Sequence, residues 1–187
     1  MAVRQLTQQT FEQFALSDPE RQWEMHRGQL REKPSMSSDH GEILTYLSHH
    51  LIMQLDGAVY RVRANHGRLR HRQDSYYIPD VSVIPFPYLE HLRGRPDRLE
   101  IVDRPIPFVA EVWSPSTGDY DVESKVPEYQ GRGDLEIWRI HPYERTLIAW
   151  RRQPDGSYVE TTYAGGKVDI ASLPGVTIDL DRLFDWT

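Results

Sequence analysis

The chain has 187 residues, of which 28 are acidic and 22 basic, and its formal net charge is −6. This length is typical of one domain with a single core, so we expect one domain over residues 1–187. The acidic balance excludes a uniformly basic nucleic-acid-binding surface and leaves only a local one. The absence of cysteine excludes disulfides, thiolate zinc sites and cysteine nucleophiles.

The sequence contains no segment typical of membrane proteins. No apolar run approaches the length of a membrane span, and the first 15 residues have no apolar signal core. We therefore expect a cytoplasmic protein without a membrane partner. Glycine-rich nucleotide motifs, the phosphate-loop lysine motif and the serine-hydrolase elbow are also missing, so no organic cofactor is expected.

The first part of the chain predicts two helices separated by a hairpin. A short helix is predicted over residues 7–15, and a hairpin over residues 22–31 that turns at Arg27-Gly28. A longer helix follows over residues 39–55, with Ser38 or Asp39 as its cap. Its buried stripe is predicted from apolar residues four positions apart, which are Ile43, Leu47, Leu51 and Leu55.

The rest of the chain predicts mainly strands. Pro79 interrupts a predicted strand over residues 76–84, and Pro127 lies inside a predicted helix. The other predicted elements are strands over 58–63, 68–72, 108–113, 135–141, 146–152 and 157–163, and the helix over 119–130. This order indicates an α+β fold, with a mixed central β-sheet flanked by helices and a C-terminal antiparallel meander.

Two acidic residues stand in predicted strands, where a charge is costly to bury. Asp80 follows Pro79, and Glu111 lies in the most apolar strand of the chain. Neighbouring carboxylates raise each other's pKa, and a divalent cation relieves both the burial and the repulsion. Mg²⁺ prefers oxygen ligands and usually takes one or two protein carboxylates, so the pair predicts a site for Mg²⁺ or Mn²⁺.

A lysine on the following helix extends this pattern. Lysine is scarce, since Lys33, Lys125 and Lys167 are the only ones among the 22 basic residues. An ammonium group can position an attacking water and stabilise a pentavalent phosphate. Each residue also has an ordinary explanation: a turn at Asp80, an arginine partner for Glu111, and solvent exposure for Lys125. The three together favour a metal site for phosphodiester hydrolysis.

Four segments in the middle of the chain carry a specific pattern. They are Ile78-Pro79-Asp80-Val81-Ser82-Val83, then Val109-Ala110-Glu111-Val112-Trp113-Ser114-Pro115-Ser116-Thr117, then Tyr120-Asp121 with Lys125 and Tyr129, and residues 133–138. With Trp23-Glu24 near the start and Leu183-Phe184 near the end, they resemble the Uma-two family of restriction endonucleases. That family belongs to the PD-(D/E)XK nuclease superfamily.

The resemblance implies a restriction-endonuclease-like fold and metal-dependent hydrolysis of DNA. Asp80 and Glu111 match the family's metal-binding acids, the carbonyl of Val112 matches the backbone ligand, and Lys125 matches the lysine. In the wider superfamily that lysine stands two residues after the glutamate, where this chain has Trp113. In this family it lies on the next helix, as Lys125 does.

Two further residues match the family pattern. Glu24 matches an additional acid that holds a metal-bound water, and His40 matches a histidine that we group with the substrate-binding candidates.

Arginines alternate along two predicted strands and form the other candidate DNA contacts. If the strands pair as a hairpin, these side chains share a face that binds phosphates, and DNA binding weakens steeply as salt rises. A solvated sheet face explains the alternation equally well. The candidates are Arg61 and Arg63 on the first strand and Arg68 and Arg70 on the second.

Aromatic residues of the final meander predict core packing, and an edge strand there can pair with a second copy, which predicts a homodimer. The aromatics are Trp138, Tyr143, Trp150, Tyr158 and Tyr163. Two other functions fit the residues: a nuclease-fold binding protein without turnover, and a metal-dependent hydrolase of another phosphoester.

Overall fold

The structure is a computed structural model that describes residues 6–116 and 120–186, except the side chain of Val122. The helices are α1 (Gln8–Ser17), α2 (Ser38–Gln54), α3 (Val126–Arg132) and α4 (Leu180–Asp185). A π-helical turn over Asp121–Lys125 runs directly into α3, and 3₁₀ turns span Phe86–Tyr88 and Glu90–Leu92. No helix in the described ranges is long and apolar enough to cross a membrane.

The strands form two larger sheets and one small one, which is the predicted α+β architecture. The first sheet has the order β2-β1-β5-β4-β7 and the second the order β11-β10-β9-β8-β6-β3. Strands β12 and β13 pair separately. In chain order the strands are β1 (Trp23–His26), β2 (Gln29–Glu32), β3 (Tyr60–Ala64), β4 (Arg68–Arg72), β5 (Ser75–Tyr77), β6 (Val81–Pro85), β7 (Ile101–Val102), β8 (Phe108–Val112), β9 (Glu136–His141), β10 (Thr146–Arg152), β11 (Tyr158–Tyr163), β12 (Lys167–Asp169) and β13 (Thr177–Asp179).

The predicted first hairpin is confirmed as β1 and β2. Its two turn residues, Arg27 and Gly28, have φ angles of 49° and 78°. Positive φ at both positions matches the twist of the flanking strands, which is why a two-residue hairpin turn requires it. The predicted meander is also confirmed, since β9, β10 and β11 pair in antiparallel order.

The predicted interruption at Pro79 separates two strands that join different sheets. Strand β5 pairs with β1 and β4 in the first sheet, whereas β6 pairs with β3 and β8 in the second. Pro79 lacks an N–H and cannot contribute a donor to either ladder. Asp80 therefore lies where the chain crosses from one sheet to the other.

The two arginine strands do not pair as a hairpin, so the condition for a shared arginine face is not met. Strand β3 pairs with β6, and β4 pairs with β5 and β7, so the two strands belong to different sheets. The buried strand β6 needs a hydrogen-bonding neighbour on each side, and β3 and β8 fill these positions. Arg61 and Arg63 therefore do not share a hairpin face with Arg68 and Arg70.

Helix α2 begins one residue earlier than the sequence indicated. The Ser37 hydroxyl accepts a hydrogen bond from the His40 N–H at 3.3 Å, so Ser37 is the cap rather than Ser38 or Asp39. Of the predicted stripe, Ile43, Leu47 and Leu51 are buried, and Leu55 follows the helix end and is partly buried.

The predicted helix over 119–130 divides into two forms. Asp119 lies outside the described residues. The Val126 N–H bonds to the Asp121 carbonyl, five residues earlier, which is the π-helical spacing. Pro127 stands in the first turn of α3 but directly follows the π-helical turn, so its missing N–H removes one backbone donor to the carbonyls of that turn. The change from π-helical to α-helical spacing thus falls beside the proline.

Apolar residues pack on both faces of the second sheet. Helices α2 and α4 and the small sheet cover one face, while α3 and the first sheet contribute to the cluster on the other. Trp138 is fully buried, but Tyr143 is 55% exposed because it lies in the turn between β9 and β10. Core packing is therefore wrong for Tyr143, while Trp150, Tyr158 and Tyr163 are half-buried.

Candidate active site

Four predicted site residues meet at the junction of the two larger sheets. Glu24 comes from β1 of the first sheet and Glu111 from β8 of the second. Asp80 lies in the segment that joins the sheets, and Lys125 ends the π-helical turn. Each of the four is only 1–2% exposed, so their charges interact in a medium that screens poorly.

Asp80 accepts hydrogen bonds from two donors, and His40 lies beside it. The Val112 N–H donates to its Oδ2 at 2.7 Å, and His40 Nε2 lies 3.1 Å from the same oxygen. The Lys33 ammonium donates to Oδ1 at 2.7 Å and to the Ile78 carbonyl at the same distance. Burial alone would raise the pKa of Asp80, but Lys33 and His40 outweigh it and hold the pKa well below its usual range.

Glu111 has fewer compensating contacts. The Tyr129 hydroxyl donates to its Oε1 at 2.6 Å, and Lys125 Nζ lies 3.3 Å from Oε2. Burial raises the pKa of Glu111 to about 8; Lys125 opposes the rise, while the Asp80 and Asp121 carboxylates add to it. The metal-free site therefore binds a proton on this carboxyl near neutral pH.

Lys125 is surrounded by carboxylates. Its Nζ lies 3.1 Å from Glu24 Oε1, 3.3 Å from Glu111 Oε2 and 3.5 Å from Asp121 Oδ1. Burial would lower the pKa of Lys125, but these acids, with Asp80 farther away, outweigh it and raise the pKa well above its usual value. Lys125 is therefore an ammonium group in the metal-free protein and cannot accept a proton there.

Glu24 links this ammonium group to the backbone of the sheet junction. Its Oε1 accepts a hydrogen bond from the Ile78 N–H at 2.8 Å and also lies near Lys125. The hydrogen bond fixes the Glu24 carboxylate against the backbone of Ile78, two residues before Asp80. Glu24 therefore positions Lys125 and the segment that carries Asp80.

Sequence reasoning gave no site role to Lys33, Tyr129 or Asp121. The scarcity of lysine could have indicated Lys33, since two of the three lysines contact site carboxylates. Tyr129 and Asp121 stand in the segments that carry the family resemblance, but the sequence alone does not show the contacts that suggest their roles.

The charge of the site fits a divalent cation. Four carboxylates and two ammonium groups are in contact, so their formal charge is −2 when all the acids are ionised: Glu24, Asp80, Glu111 and Asp121 against Lys33 and Lys125. Among the described residues, no three His, Asp or Glu side chains are arranged as a metal-binding group. Mg²⁺ fits such a site, because it commonly takes only one or two carboxylates and fills its octahedron with other oxygens.

The backbone of Val112 is suitably oriented to complete this set. Its N–H faces Asp80, and in an extended strand the N–H and C=O of one residue point to the same side. The Val112 carbonyl therefore faces the sheet edge at which Asp80 lies.

The predicted arginine contacts are directed elsewhere. Arg63 makes two hydrogen bonds to Glu100, at 2.8 and 3.0 Å, and Arg70 pairs with Asp103 at 2.7 Å. Arg68 donates to the Trp23 carbonyl, and Arg61 lies over the Phe86 ring. His40 is the one substrate-binding candidate whose side chain contacts Asp80.

Comparisons with known proteins identify a family and a shared fold. The family model described as "Uma2: Putative restriction endonuclease" matches residues 8–181. A protein of Anabaena variabilis, whose crystal structure is described as that of "a putative nuclease belonging to DUF820", superimposes with a TM-score of 0.77 at 19% identity. The superposition covers 97% of this chain and 98% of that one, which shows a shared fold. No curated protein matches the chain.

Proposed function

The chain belongs to the Uma2 (Uma-two) family of restriction endonucleases, and we propose that it hydrolyses DNA phosphodiester bonds with Mg²⁺ or Mn²⁺. Asp80, Glu111 and the Val112 carbonyl would hold the cation, in a cleft that Lys125 also lines. The observation that carries this proposal is the buried cluster of four carboxylates, whose negative charge two lysines balance only in part. Such a cluster is costly unless a cation joins it.

Each protein group has a distinct part in this proposal. The bound cation would supply an acidified water and positive charge beside the phosphate. Lys125, protonated at rest, stabilises the negative charge that develops on the phosphate, and Glu24 keeps its ammonium in place. Tyr129 occupies one oxygen of Glu111 and so fixes the direction of the other. Lys33 and His40 contact one oxygen of Asp80 each and so fix the plane of its carboxylate.

Nuclease assays with matched lysine variants test the proposal. Purified protein is incubated with DNA in Mn²⁺, Mg²⁺ or EDTA, and Asp80→Ala and Lys125→Ala are compared with Lys167→Ala, which changes an exposed lysine far along the chain. We expect cleavage only with a metal, a loss of at least about 100-fold in the first two variants, and none in the third. DNA cleavage that persists in EDTA would contradict the metal requirement.

Calorimetric titration with Mn²⁺ separates metal binding from turnover. Asp80→Ala should lose Mn²⁺ binding, whereas Lys125→Ala should keep it because the ammonium is not a ligand. A wild-type protein that neither cuts DNA nor binds Mn²⁺ would refute the proposal. One that binds Mn²⁺ but cuts only another phosphoester would correct its substrate.

A further inference from the structure

An aromatic cluster begins two residues after Glu111. Strands β8 and β9 run parallel, with Glu111 opposite Arg139, and the Trp113 N–H continues the ladder by bonding to the Ile140 carbonyl at 2.8 Å. Side chains alternate along a strand, so Trp113 follows Glu111 on the same face, and His141 follows Arg139. Trp113 is two residues, about 6.6 Å of strand, beyond the proposed metal ligand.

Three rings form the cluster. Trp113 stacks on His141 with centroids 4.2 Å apart and planes inclined by 23°, and the Tyr143 ring meets Trp113 edge-on at 5.8 Å. Hydrogen bonds hold two of the rings: the Tyr143 hydroxyl donates to Asp39 Oδ2 at 3.1 Å, and the Glu144 N–H donates to His141 Nδ1 at 3.0 Å. The rings are therefore placed in advance of any ligand.

The cluster is accessible and adjoins the cleft through the chain, since Ser114, which follows Trp113, lines the cleft. Tyr143 is 55% exposed, and Trp113 and His141 are half-buried. Asp39, which anchors Tyr143, immediately precedes His40, a residue that lines the same cleft as Asp80 and Glu111. A single exposed aromatic residue is ordinary. A fixed group of rings that begins two residues from the proposed site of phosphodiester hydrolysis is suited to stacking on a nucleobase.

The charge of the molecule also favours recognition through bases. The net charge is −6. Arg63 and Arg70 are paired with carboxylates, which weakens their attraction for phosphate groups. Nucleic-acid affinity that rests on phosphates needs several available cations. Stacking on aromatic side chains does not need cations, because every base presents a π-face that a ring can contact.

We propose that Trp113, His141 and Tyr143 form a stacking platform for an unpaired base, and that the substrate is single-stranded DNA or DNA with a locally unpaired strand. The inference rests on the proposed function, since it seats the base beside a phosphate that lies at Glu111. A duplex keeps its bases stacked on one another and cannot offer one to the platform without unpairing.

Binding to matched oligonucleotides tests the platform without cleavage. Fluorescence anisotropy in EDTA compares a labelled single strand, the same strand with abasic positions, and the corresponding duplex. We expect the wild-type protein to bind the single strand about tenfold more tightly than the abasic strand, which keeps the phosphates but lacks bases. Equal affinity for the abasic strand, or tighter binding of the duplex, would overturn the platform.

Variants within the cluster locate the effect. Trp113→Leu and Tyr143→Leu remove a ring and should weaken single-strand binding several-fold, whereas Tyr143→Phe keeps the ring but loses its hydrogen bond to Asp39 and should bind more tightly than Tyr143→Leu. Phe14→Leu is the control, because it removes a partly exposed ring on α1. Tyr143 is exposed, so its variants should remain folded even if Trp113→Leu does not. Unchanged binding by Tyr143→Leu would refute the proposal whether or not Trp113→Leu folds.

The outcomes separate the two proposals. If base-dependent binding is present and no metal-dependent cleavage occurs, the platform stands and the nuclease function fails. If the protein cuts duplex DNA and the Leu variants bind and cut normally, the nuclease function stands and the platform fails.

Discussion

Asp80 and Glu111 are equally buried, yet their surroundings move their pKa values in opposite directions. Lys33, His40 and the Val112 N–H stabilise the carboxylate of Asp80. The one ammonium group that contacts Glu111 is that of Lys125, and this group also lies near the carboxylates of Glu24 and Asp121. Of these two acids, Glu111 is therefore the one whose ionisation is costly in the metal-free protein, and replacing it should change stability in a way that depends on pH.

The substitution Glu111→Gln should stabilise the metal-free protein increasingly as the pH rises. Folding raises the pKa of Glu111 from 4.5 to about 8, so the folded state holds this proton more tightly and loses stability as the pH rises through that window. The amide side chain of the variant has no proton to lose. Thermal unfolding in EDTA should show the variant equal to wild type near pH 4 and at least about 4 °C more stable near pH 8.

The control for this measurement is Glu123→Gln, which changes an exposed glutamate of the π-helical turn. Its difference from wild type should not vary over the same pH range. If the difference in melting temperature between Glu111→Gln and wild type is the same at every pH, burial does not raise the pKa of Glu111.

Lys33 should compete with a cation at Asp80. Its ammonium is 2.7 Å from Oδ1, and its side chain is 6% exposed. Lys33→Met leaves Asp80 with one compensating contact fewer and should cost about 3–5 kcal/mol in metal-free protein. Mn²⁺ should then raise the melting temperature more in the variant than in wild type, because a like charge has been removed from its neighbourhood.

Lys167→Met serves as the reference for Lys33→Met, since Lys167 is exposed on β12. Equal stabilisation of wild type and Lys33→Met by Mn²⁺ would mean that the Lys33 charge does not oppose the metal.

At the scale of single residues, the sequence was sufficient to find acids in unfavourable positions. Asp80 after a proline and Glu111 in an apolar strand are visible without coordinates, and the structure brings both to one junction. The contact of Lys33 with Asp80 was not predictable, because the two residues are 47 positions apart and meet only when the sheets are assembled.

At the scale of elements, the start of α2 determines where His40 lies. Ser37 caps the helix and bonds to the N–H of His40 itself, so the cap fixes the backbone of a residue that contacts Asp80. The sequence indicated the helix but not its cap, because Ser37, Ser38 and Asp39 are all good capping residues in succession.

Removing each serine should therefore distinguish Ser37 from Ser38 as the cap. Ser37→Ala should lower the free energy of unfolding by about 1 kcal/mol. The neighbouring exposed Ser38→Ala should change it little, because Ser38 is already the first helical residue. Chemical denaturation measures both, and a larger loss in Ser38→Ala would place the cap one residue later.

Local patterns predicted local elements well, and long-range pairing less well. Pro79 and Pro127 marked real boundaries, and the meander followed from alternating residues with short turns. The pairing of β3 with β6, rather than with the adjacent β4, depends on contacts made after residue 80. No alternation within β3 or β4 contains that information.

At the scale of the whole molecule, the second sheet ends at an exposed edge. Strand β11 pairs only with β10 among the described strands, and Val159 on this strand is 51% exposed. An unpaired edge that carries an exposed apolar side chain favours pairing with an identical strand. We therefore expect a homodimer joined through β11.

Charge at this edge should prevent the pairing. Val159→Lys places a cation on both copies of a symmetric contact, where like charges repel. Light scattering after size-exclusion chromatography should give twice the chain mass for wild type and the chain mass for the variant. A monomeric wild type at high micromolar concentration would exclude the dimer.

Two backbone amides at the junction of the sheets bond to side-chain carboxylates of the site instead of to carbonyl groups. Ile78 N–H donates to Glu24 and Val112 N–H donates to Asp80. The shift of an amide proton depends on the charge and distance of its acceptor, so these two resonances in a ¹⁵N spectrum should report events at the site directly. The pair forms a built-in spectroscopic probe, in which the Val112 signal would follow cation binding at Asp80 and the Ile78 signal would follow movement of Glu24.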